Sequence, residues 1–559
     1  MYHQCLRSSA VALRNLHFCP LRLDSHKIGR FSERLRDRCL SGTSHSSQQQ
    51  ASRVGTAYAE VEQLVLDLAQ QLPCFSARQQ DFEIIRHPVN FYQALLTLIR
   101  QARRRIFIAS LYVGKEEHEL LNALYQSLKS NHTLRLTIVV DYLRSTREDP
   151  KPSSASLLAT LKANFPNQVE VALYHTSELY GWQKKAIPRR FDEGWGLQHM
   201  KIYGADDNLI MSGANLSRDY FTNRMDRYIK VCNHAALADY YYELCTTTAR
   251  LSYLLDSRST SSRLSISWSD HNLIQAPDHS KSASLEFKAA GHRMYQALTT
   301  KWQAHTVMSQ ETRSDEHDTY ILPVIQMGPF DIYQETQLVV PRLIHLGSTL
   351  ASSYQKSDTR LDWTSGYFSL LREYKRSLLQ SNLNVQMIAA SPEANGFFQS
   401  KGVSRYIPPA YTYLEMLFYN DIVSAGKQDQ IEIREWRQPG WTYHAKGIWL
   451  STCPDTPTPS SPSTNSTYSD LLRHSTLRPC LTLIGSSNYG RRSAERDLEA
   501  NLLIINHNTQ GGFSTQLAHE LSGLKESAID VVNWELLNRA DRKVGIGVKL
   551  ATHVIRNML

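Results

Sequence analysis

Hydrophobic positions along this chain switch repeatedly between a period near 3.6 and unbroken apolar runs. EVEQLVLDLAQQL, within a stretch opening at Thr56, has helical spacing, and so does FYQALLTLIR (91–100). RRRIFIASLYVG (103–114) predicts a buried strand, 117–129 a helix, and LRLTIVVDYL (134–143) a second strand. Strand–helix–strand order of this kind predicts an α/β fold, a sheet covered by helices.

The same order returns later. Residues 334–354 read as helix, RLDWTSGYFSL (360–370) as strand, and a further helix precedes LNVQMIAAS (383–391). The pattern predicts an internal duplication. Its first half runs 57–255 and its second 320–535, joined by a linker at 256–319 and followed by a C-terminal tail at 536–559. Residues 451–479, rich in Pro, Ser and Thr, read as a flexible insert in the second half.

Charge and cysteine content narrow the classes. The net charge is +9, but residues 1–53 hold nine Lys/Arg against three acids, so about two thirds of the surplus sits there. A nucleic-acid-binding face would spread its basicity over the folded body, so no nucleic-acid partner is expected. That opening segment is rich in Arg and Ser and poor in acids, the composition of a mitochondrial transit peptide cleaved between residues 25 and 60. The eight cysteines form no Cys-x-x-Cys pair, which suggests neither a zinc site nor a disulfide scaffold. No apolar run reaches the roughly 18 residues that would span a bilayer.

The chemistry sits in a repeated constellation. Each half carries His-x-Lys, His199 with Lys201 and His444 with Lys446. Each then has a small-residue turn ending in Asn, SGAN ending at Asn215 and GSSN, which includes Ser486, ending at Asn488. A carboxylate follows eleven residues after each Asn, Asp226 and Glu499 respectively. One His-x-Lys means little; two with matching sequels are hard to obtain by chance. Two histidines meeting across a pseudo-two-fold suit a phosphodiester. One attacks phosphorus, and the other protonates the leaving oxygen. Lysines, Asn side chains and a hydroxyl such as that of Ser486 would stabilise charge on the equatorial oxygens. Asp226 and Glu499 would each hold one imidazole nitrogen and fix its tautomer. Such chemistry requires neither a cofactor nor a metal.

These residues resemble the repeated motif of the phospholipase D superfamily, HxKxxxxD followed by GSxN. The first copy matches through His199, Lys201 and Asp206; in the second, Ser451 stands where the aspartate belongs. Within the superfamily the chain is similar to the eukaryotic phosphatidylglycerophosphate synthases. The likeness runs through most of 85–535, on RIFIASLYVG, GLQHMKIY, LSGANLSRDYFTNRMDRY, HAKGIWL and LTLIGSSNYGRRSAERDLEA. That family also lacks the second aspartate. The resemblance implies two similar mixed-sheet domains with flanking helices about a pseudo-two-fold, with the active site at their interface. It implies His199, Lys201, Asp206, His444 and Lys446 as catalytic, and CDP-diacylglycerol and sn-glycerol 3-phosphate as substrates. It also implies peripheral association with the matrix side of the mitochondrial inner membrane.

Arg218, Arg491 and Arg492 follow the motif turns closely enough to bind phosphate. The basic run Lys184, Lys185, Arg189 and Arg190, and the aromatic stretch YIPPAYTYLEMLFYN (406–420), could each face lipid or be ordinary surface and core. The same chemistry would serve a nuclease, a phospholipase, or a phosphatidylserine or cardiolipin synthase. A dead scaffold would have lost a His or Lys, and none is lost. Metal-dependent alcohol phosphotransferases need an Asp-Gly pair, which the chain lacks.

Overall fold

The computed structural model describes residues 48–555 apart from 149–151, 190, 270–273, 310–317, 354–358, 454–476, 507–508 and 510. Residues 1–47 of the transit-like segment 1–53, Arg190 and most of the insert lie outside the described residues. The chain divides after Ala59, and the architecture below belongs to the unit that starts at Glu60.

The strands in chain order begin with β1 Phe75–Ala77, β2 Phe82–Ile85, β3 Arg105–Ala109, β4 Arg135–Asp141 and β5 Val169–Tyr174. Next come β6 Ile202–Ala205, β7 Asn208–Ser212, β8 Arg224–Met225, β9 Tyr228–Val231, β10 Tyr253–Leu255 and β11 Ile266–Ser267. The second half contributes β12 Thr319–Met327, β13 Ile332–Tyr333, β14 Thr359–Ser365, β15 Asn384–Ala390 and β16 Ile431–Trp436. It ends with β17 Thr442–Tyr443, β18 Lys446–Thr452, β19 Arg478–Gly485, β20 Leu498–Asn506 and β21 Asp530–Val531.

Two mixed sheets result. One runs β11-β10-β5-β4-β3-β6-β7-β9-β2 and the other β1-β12-β20-β19-β18-β14-β15-β16-β21, with β13 attached to β12. In the first, β3, β4 and β5 are parallel and the steps β3/β6, β6/β7, β7/β9 and β9/β2 antiparallel. The second repeats this with β14, β15 and β16 parallel and β18, β19, β20 and β12 antiparallel. Parallel neighbours need crossover helices, and His118–Ser130 and Ser154–Asn164 supply them in the first half. The preceding helix, Pro88–Gln101, opens on a proline whose fixed φ suits a first turn, and buries Phe91, Leu95, Leu98 and Ile99 at helical spacing.

The core between the sheets is shared. Phe107, Val139, Met211 and Ile229 of the first sheet belong to one buried cluster with Ile321, Trp436, Trp449 and Leu502 of the second. The segment read as a linker is built into this cluster, because Phe287, Tyr295 and Trp302 of the helix Lys281–Ser309 are buried in it. β1 likewise precedes the first half in sequence but pairs with β12 of the second. Linker and boundary strand therefore act as cement, and the halves are not separable bodies. The C-terminal stretch read as a tail is also anchored. Arg542 is buried and donates to Glu435 at 2.6 Å and Glu393 at 3.1 Å.

The aromatic stretch 406–420 is helical, its Pro-Pro pair opening the helix Ile407–Ser424 rather than making a turn. The insert leaves the sheet at Thr452 and re-enters it at Arg478, so it interrupts a hairpin between β18 and β19 without breaking their pairing.

Candidate active site

The two halves meet through a backbone exchange. Residues 197–199, just ahead of β6, pair with Leu498: Leu498 N donates to Leu197 O at 2.8 Å and His199 N to Leu498 O at 2.9 Å. In the opposite sense, β17 pairs in parallel with β8, and His444 N donates to Met225 O at 2.8 Å. Each histidine is thereby laid beside the carboxylate of the other half. His199 Nδ1 lies 2.9 and 3.0 Å from the two Glu499 oxygens, and His444 Nδ1 lies 2.7 Å from Asp226 Oδ2. Nδ1–H donating to the carboxylate leaves Nε2 with its lone pair, the form needed to attack phosphorus or accept a proton.

The lysines complete the pair. Lys201 Nζ donates to His199 O and Lys446 Nζ to His444 O, both at 2.6 Å. Lys446 Nζ also lies over the His444 ring, 2.7 Å from Nδ1 and 3.1 Å from Nε2. Its neighbour Gly447 has φ +157°, and a Cβ there would collide with the Arg227 guanidinium. Arg227 itself is buried, donates to both Glu520 oxygens at 2.9 Å and lies 3.7 Å above the Trp449 ring. Since it follows Asp226 directly, this ion pair holds the first-half carboxylate against the second half.

Burial dominates the electrostatics. It pushes both imidazoles well below their usual range, helped at His199 by Lys201 and at His444 by Lys446 and Arg224. Burial raises Asp226 to about 6 and Glu499 to about 7, against the pull of the nearby lysines. It lowers Lys446 to about 8 and Lys201 well below the usual lysine value. The imidazoles are held neutral, each sharing its Nδ1 proton with a carboxylate.

Among the other residues named from sequence, Ser486 Oγ donates to Glu499 Oε2 and Asn215 Nδ2 to the Tyr220 hydroxyl at 3.0 Å. Asn215 and Asn488 each keep a buried Oδ1 without a hydrogen-bond partner, polar capacity left over beside the histidines. Arg492 pairs with Asp497 at 3.1 Å and contributes to the field at His199. Arg218 is exposed, and Arg491 makes an exposed pair with Glu495 at 2.9 Å.

Asp206, named from the motif as catalytic, stands apart from the histidines. It sits at the β6–β7 turn with φ +50°, accepting from the backbone N–H groups of Arg103 and Arg104 at 2.8 Å and Arg105 at 3.1 Å. Its work is to tie that turn to the start of β3, and it has no hydrogen bond to any histidine or lysine of the site. Ser451, at the matching place on β18, is buried in the strand pairing instead.

Sequence reasoning missed Tyr220, Arg224, Tyr367 and Asp497. The Tyr220 hydroxyl lies 3.4 Å from His444 Nε2, and the Tyr367 ring centroid 5.5 Å from that of His444. Arg224 stacks over Tyr220 at 4.6 Å and pairs with Asp219 at 3.4 Å. Asp497 accepts from Leu197 N at 2.9 Å. Repeat register could have found two of these: Arg224 and Asp497 each stand two residues before a site carboxylate, and Asp219 and Arg492 each four after a motif Asn. Tyr367 has no such signal, because only the fold brings the end of β14 here.

Among the described residues, His199, Asp497 and Glu499 are the one set that could hold a metal, with ligand atoms within 4.8 Å of one another. Their oxygens are already engaged by Leu197 N, Arg492, Ser486 and the imidazole itself. That donor set is a hydrogen-bond relay for the histidine.

No family model matches the chain. It is 36% identical over 497 residues to CDP-diacylglycerol–glycerol-3-phosphate 3-phosphatidyltransferase of Saccharomyces cerevisiae, covering 87% of this chain and 89% of that one. The enzyme of that name from Schizosaccharomyces pombe is 39% identical over 520 residues, covering 87% and 96%. The human protein, named as mitochondrial, is 33% identical over 516 residues, covering 87% and 84%. Among solved structures, phosphatidylserine synthase of Haemophilus influenzae superposes with a TM-score of 0.60 at 19% identity, over 89% of this chain and 99% of that one, and so shares the fold. Crossed histidine–carboxylate pairs on a duplicated sheet, with identity above 30% along most of both sequences, place the protein in the CDP-diacylglycerol–glycerol-3-phosphate 3-phosphatidyltransferase family.

Proposed function

We propose that the chain transfers the phosphatidyl group of CDP-diacylglycerol to sn-glycerol 3-phosphate, through a covalent phosphohistidine. The observation that carries this is the crossed pairing, in which each imidazole commits Nδ1 to the carboxylate of the other half and keeps Nε2 for substrate. His199 is the nucleophile: its ring hydrogen bonds all run through Nδ1, whereas His444 Nε2 is contacted by Lys446 Nζ and the Tyr220 hydroxyl. In the first step the phosphate charges of the bound donor favour uptake of a proton from water by His444 Nε2; His199 Nε2 then bonds to the phosphatidyl phosphorus, the bond from phosphorus to the CMP oxygen breaks, and His444 passes that proton to CMP. In the second step His444 takes the proton of a glycerol 3-phosphate hydroxyl. That oxygen bonds to phosphorus, and the N–P bond to His199 breaks. Lys201, Lys446, Asn215 and Asn488 surround the position the equatorial oxygens would take. Arg492 and Arg224 are the basic groups placed to receive the phosphates of the two substrates.

The protein works in the mitochondrion, as the names of its chicken and human relatives support. Residues 1–53 serve as transit peptide, and the mature enzyme binds the matrix side of the inner membrane peripherally. No helix of the described residues is long and apolar enough to cross a membrane. The test follows CMP release from CDP-diacylglycerol in excess EDTA, with and without glycerol 3-phosphate. Wild type should form phosphatidylglycerophosphate, and His199→Ala and His444→Ala should not. Absence of CMP release from wild type with any acceptor would overturn the reading.

A further inference from the structure

The helix Ile546–Ile555 has two unlike faces. Lys549 Nζ lies 5.6 Å from the Tyr413 ring centroid, and the His553 ring is 6.3 Å from it, so this side packs on the helix Ile407–Ser424. The other side carries Ile546, Leu550 and Val554, 77%, 66% and 81% exposed. They stand one turn apart in a single row, an arrangement that water does not favour. The segment leading into helix Ile407–Ser424 behaves alike, exposing Phe398, Val403 and Tyr406.

Charge distinguishes this face from ordinary surface. Residues 395–414 contain Lys401 and Arg405 and no acid; residues 543–555 contain Lys543, Lys549 and His553 and no acid. The Phe398 end of the face also lies near the site: Phe397, its neighbour in sequence, has its ring centroid 6.1 Å from that of Tyr367, which in turn stands 5.5 Å from His444.

We propose that this face docks on an anionic lipid bilayer, with the Ile546–Leu550–Val554 row and Phe398, Val403 and Tyr406 below the phosphate layer and the basic side chains within it. A ten-residue helix is about 15 Å long, half of what a span requires, so it lies in the plane of the interface. A second copy of the chain is the weaker occupant, since two such faces would bring cations against cations. The proposal deepens the phosphatidyltransferase reading and rests on its lipid donor. It gives that donor a short route from bilayer to His444 beside Phe397 and Tyr367.

The test measures flotation of the purified full-length protein with vesicles of phosphatidylcholine alone or with added phosphatidylglycerol. Wild type should bind the anionic vesicles better. The triple variant Ile546→Asp, Leu550→Asp, Val554→Asp should bind about tenfold less or weaker still, and Lys543→Glu with Lys549→Glu should lose the preference for anionic vesicles. Both variants should keep the wild-type melting temperature and the wild-type rate on short-chain CDP-diacylglycerol dispersed in detergent. A Val89→Asp variant, on an exposed residue elsewhere, should change nothing. Unaltered vesicle binding by the triple variant would overturn the proposal, and so would a fall in oligomer size with vesicle binding intact. Vesicle binding that follows these variants while wild type releases no CMP from the dispersed donor would uphold the surface and sink the reaction.

Discussion

Beyond the two site lysines, the charged groups acting on His199 are Asp497 and Arg492; on His444 Arg224 acts, and the rings of Tyr220 and Tyr367 stand beside it. The positions correspond in the repeat, yet the signs are reversed. In the first half an acid at 219 pairs with a base at 224, and in the second a base at 492 pairs with an acid at 497. Both ion pairs survive the inversion, so the fold keeps its local bridge. What changes is the field: at His199 the acid Asp497 outweighs its partner Arg492, whereas at His444 the base Arg224 acts, with two phenols beside the ring. A symmetric scaffold thus becomes directional, which a transfer between two different substrates requires.

The largest effect should come from removing the tautomer anchors. Glu499→Gln and Asp226→Asn preserve shape but lose the anion, and kcat should fall by about 10³–10⁴-fold in each. Single-turnover assays sharpen the comparison: Glu499→Gln should slow formation of the phosphohistidine, whereas Asp226→Asn should slow proton transfer in both steps. Equal effects on every step would erase the proposed difference between the histidines.

Stability offers a second way to break it. Arg227→Met leaves Glu520 buried without its partner and should cost about 3–5 kcal/mol, read by chemical denaturation. Double replacement of Arg227 and Glu520 by apolar residues should recover much of that loss. The pH profile comes next. The carboxylates must be ionised to hold Nδ1–H, so kcat/KM should rise through about 6 to 7 as Asp226 and then Glu499 lose their protons. It should fall again as Lys446, lowered to about 8, loses its own. Glu499→Gln should move the residual acidic limb down toward about 6.

Substrate binding should separate the halves more gently. Arg224→Ala and Arg492→Ala should raise KM for different substrates, each by about tenfold or more, as expected for loss of a charged contact worth roughly 1.5–3 kcal/mol. If both variants weaken the same substrate, the inverted pairs do not sort donor from acceptor. The smallest effect belongs to Asp206→Ala, which should cost about 1–2 kcal/mol of stability through the freed N–H groups at 103–105 and leave kcat nearly unchanged.

How much of this was legible depended on range. His199, Lys201, His444 and Lys446, with Asn215, Asn488, Asp226 and Glu499, stood out because a duplication writes the same short-range signal twice. The α/β alternation was readable for a similar reason, since buried strands such as β3 and β4 declare themselves locally. The crossing of histidines and carboxylates between halves was not, because equal spacing is compatible with pairing inside one half or across two. The place of Asp206 at the β6–β7 turn was not legible either, because a motif records co-occurrence, and a residue that ties down a turn recurs as faithfully as one that touches substrate. The segment 256–319 looked like a spacer because the helix Lys281–Ser309 mixes polar residues with Phe287, Tyr295 and Trp302, whose burial depends on both sheets being present.

The crossed pairs also bear on how such a chain can change over generations. A duplicated gene ordinarily gains a spare, one copy free to drift while the other keeps the trade. Here each repeat holds the group that sets the partner repeat's imidazole, so damage to Asp226 reaches His444 and damage to Glu499 reaches His199. Neither repeat can be retired, and neither can work if cut free. The two can diverge only in step, as the mirrored exchange of acid and base at 219/224 and 492/497 already shows.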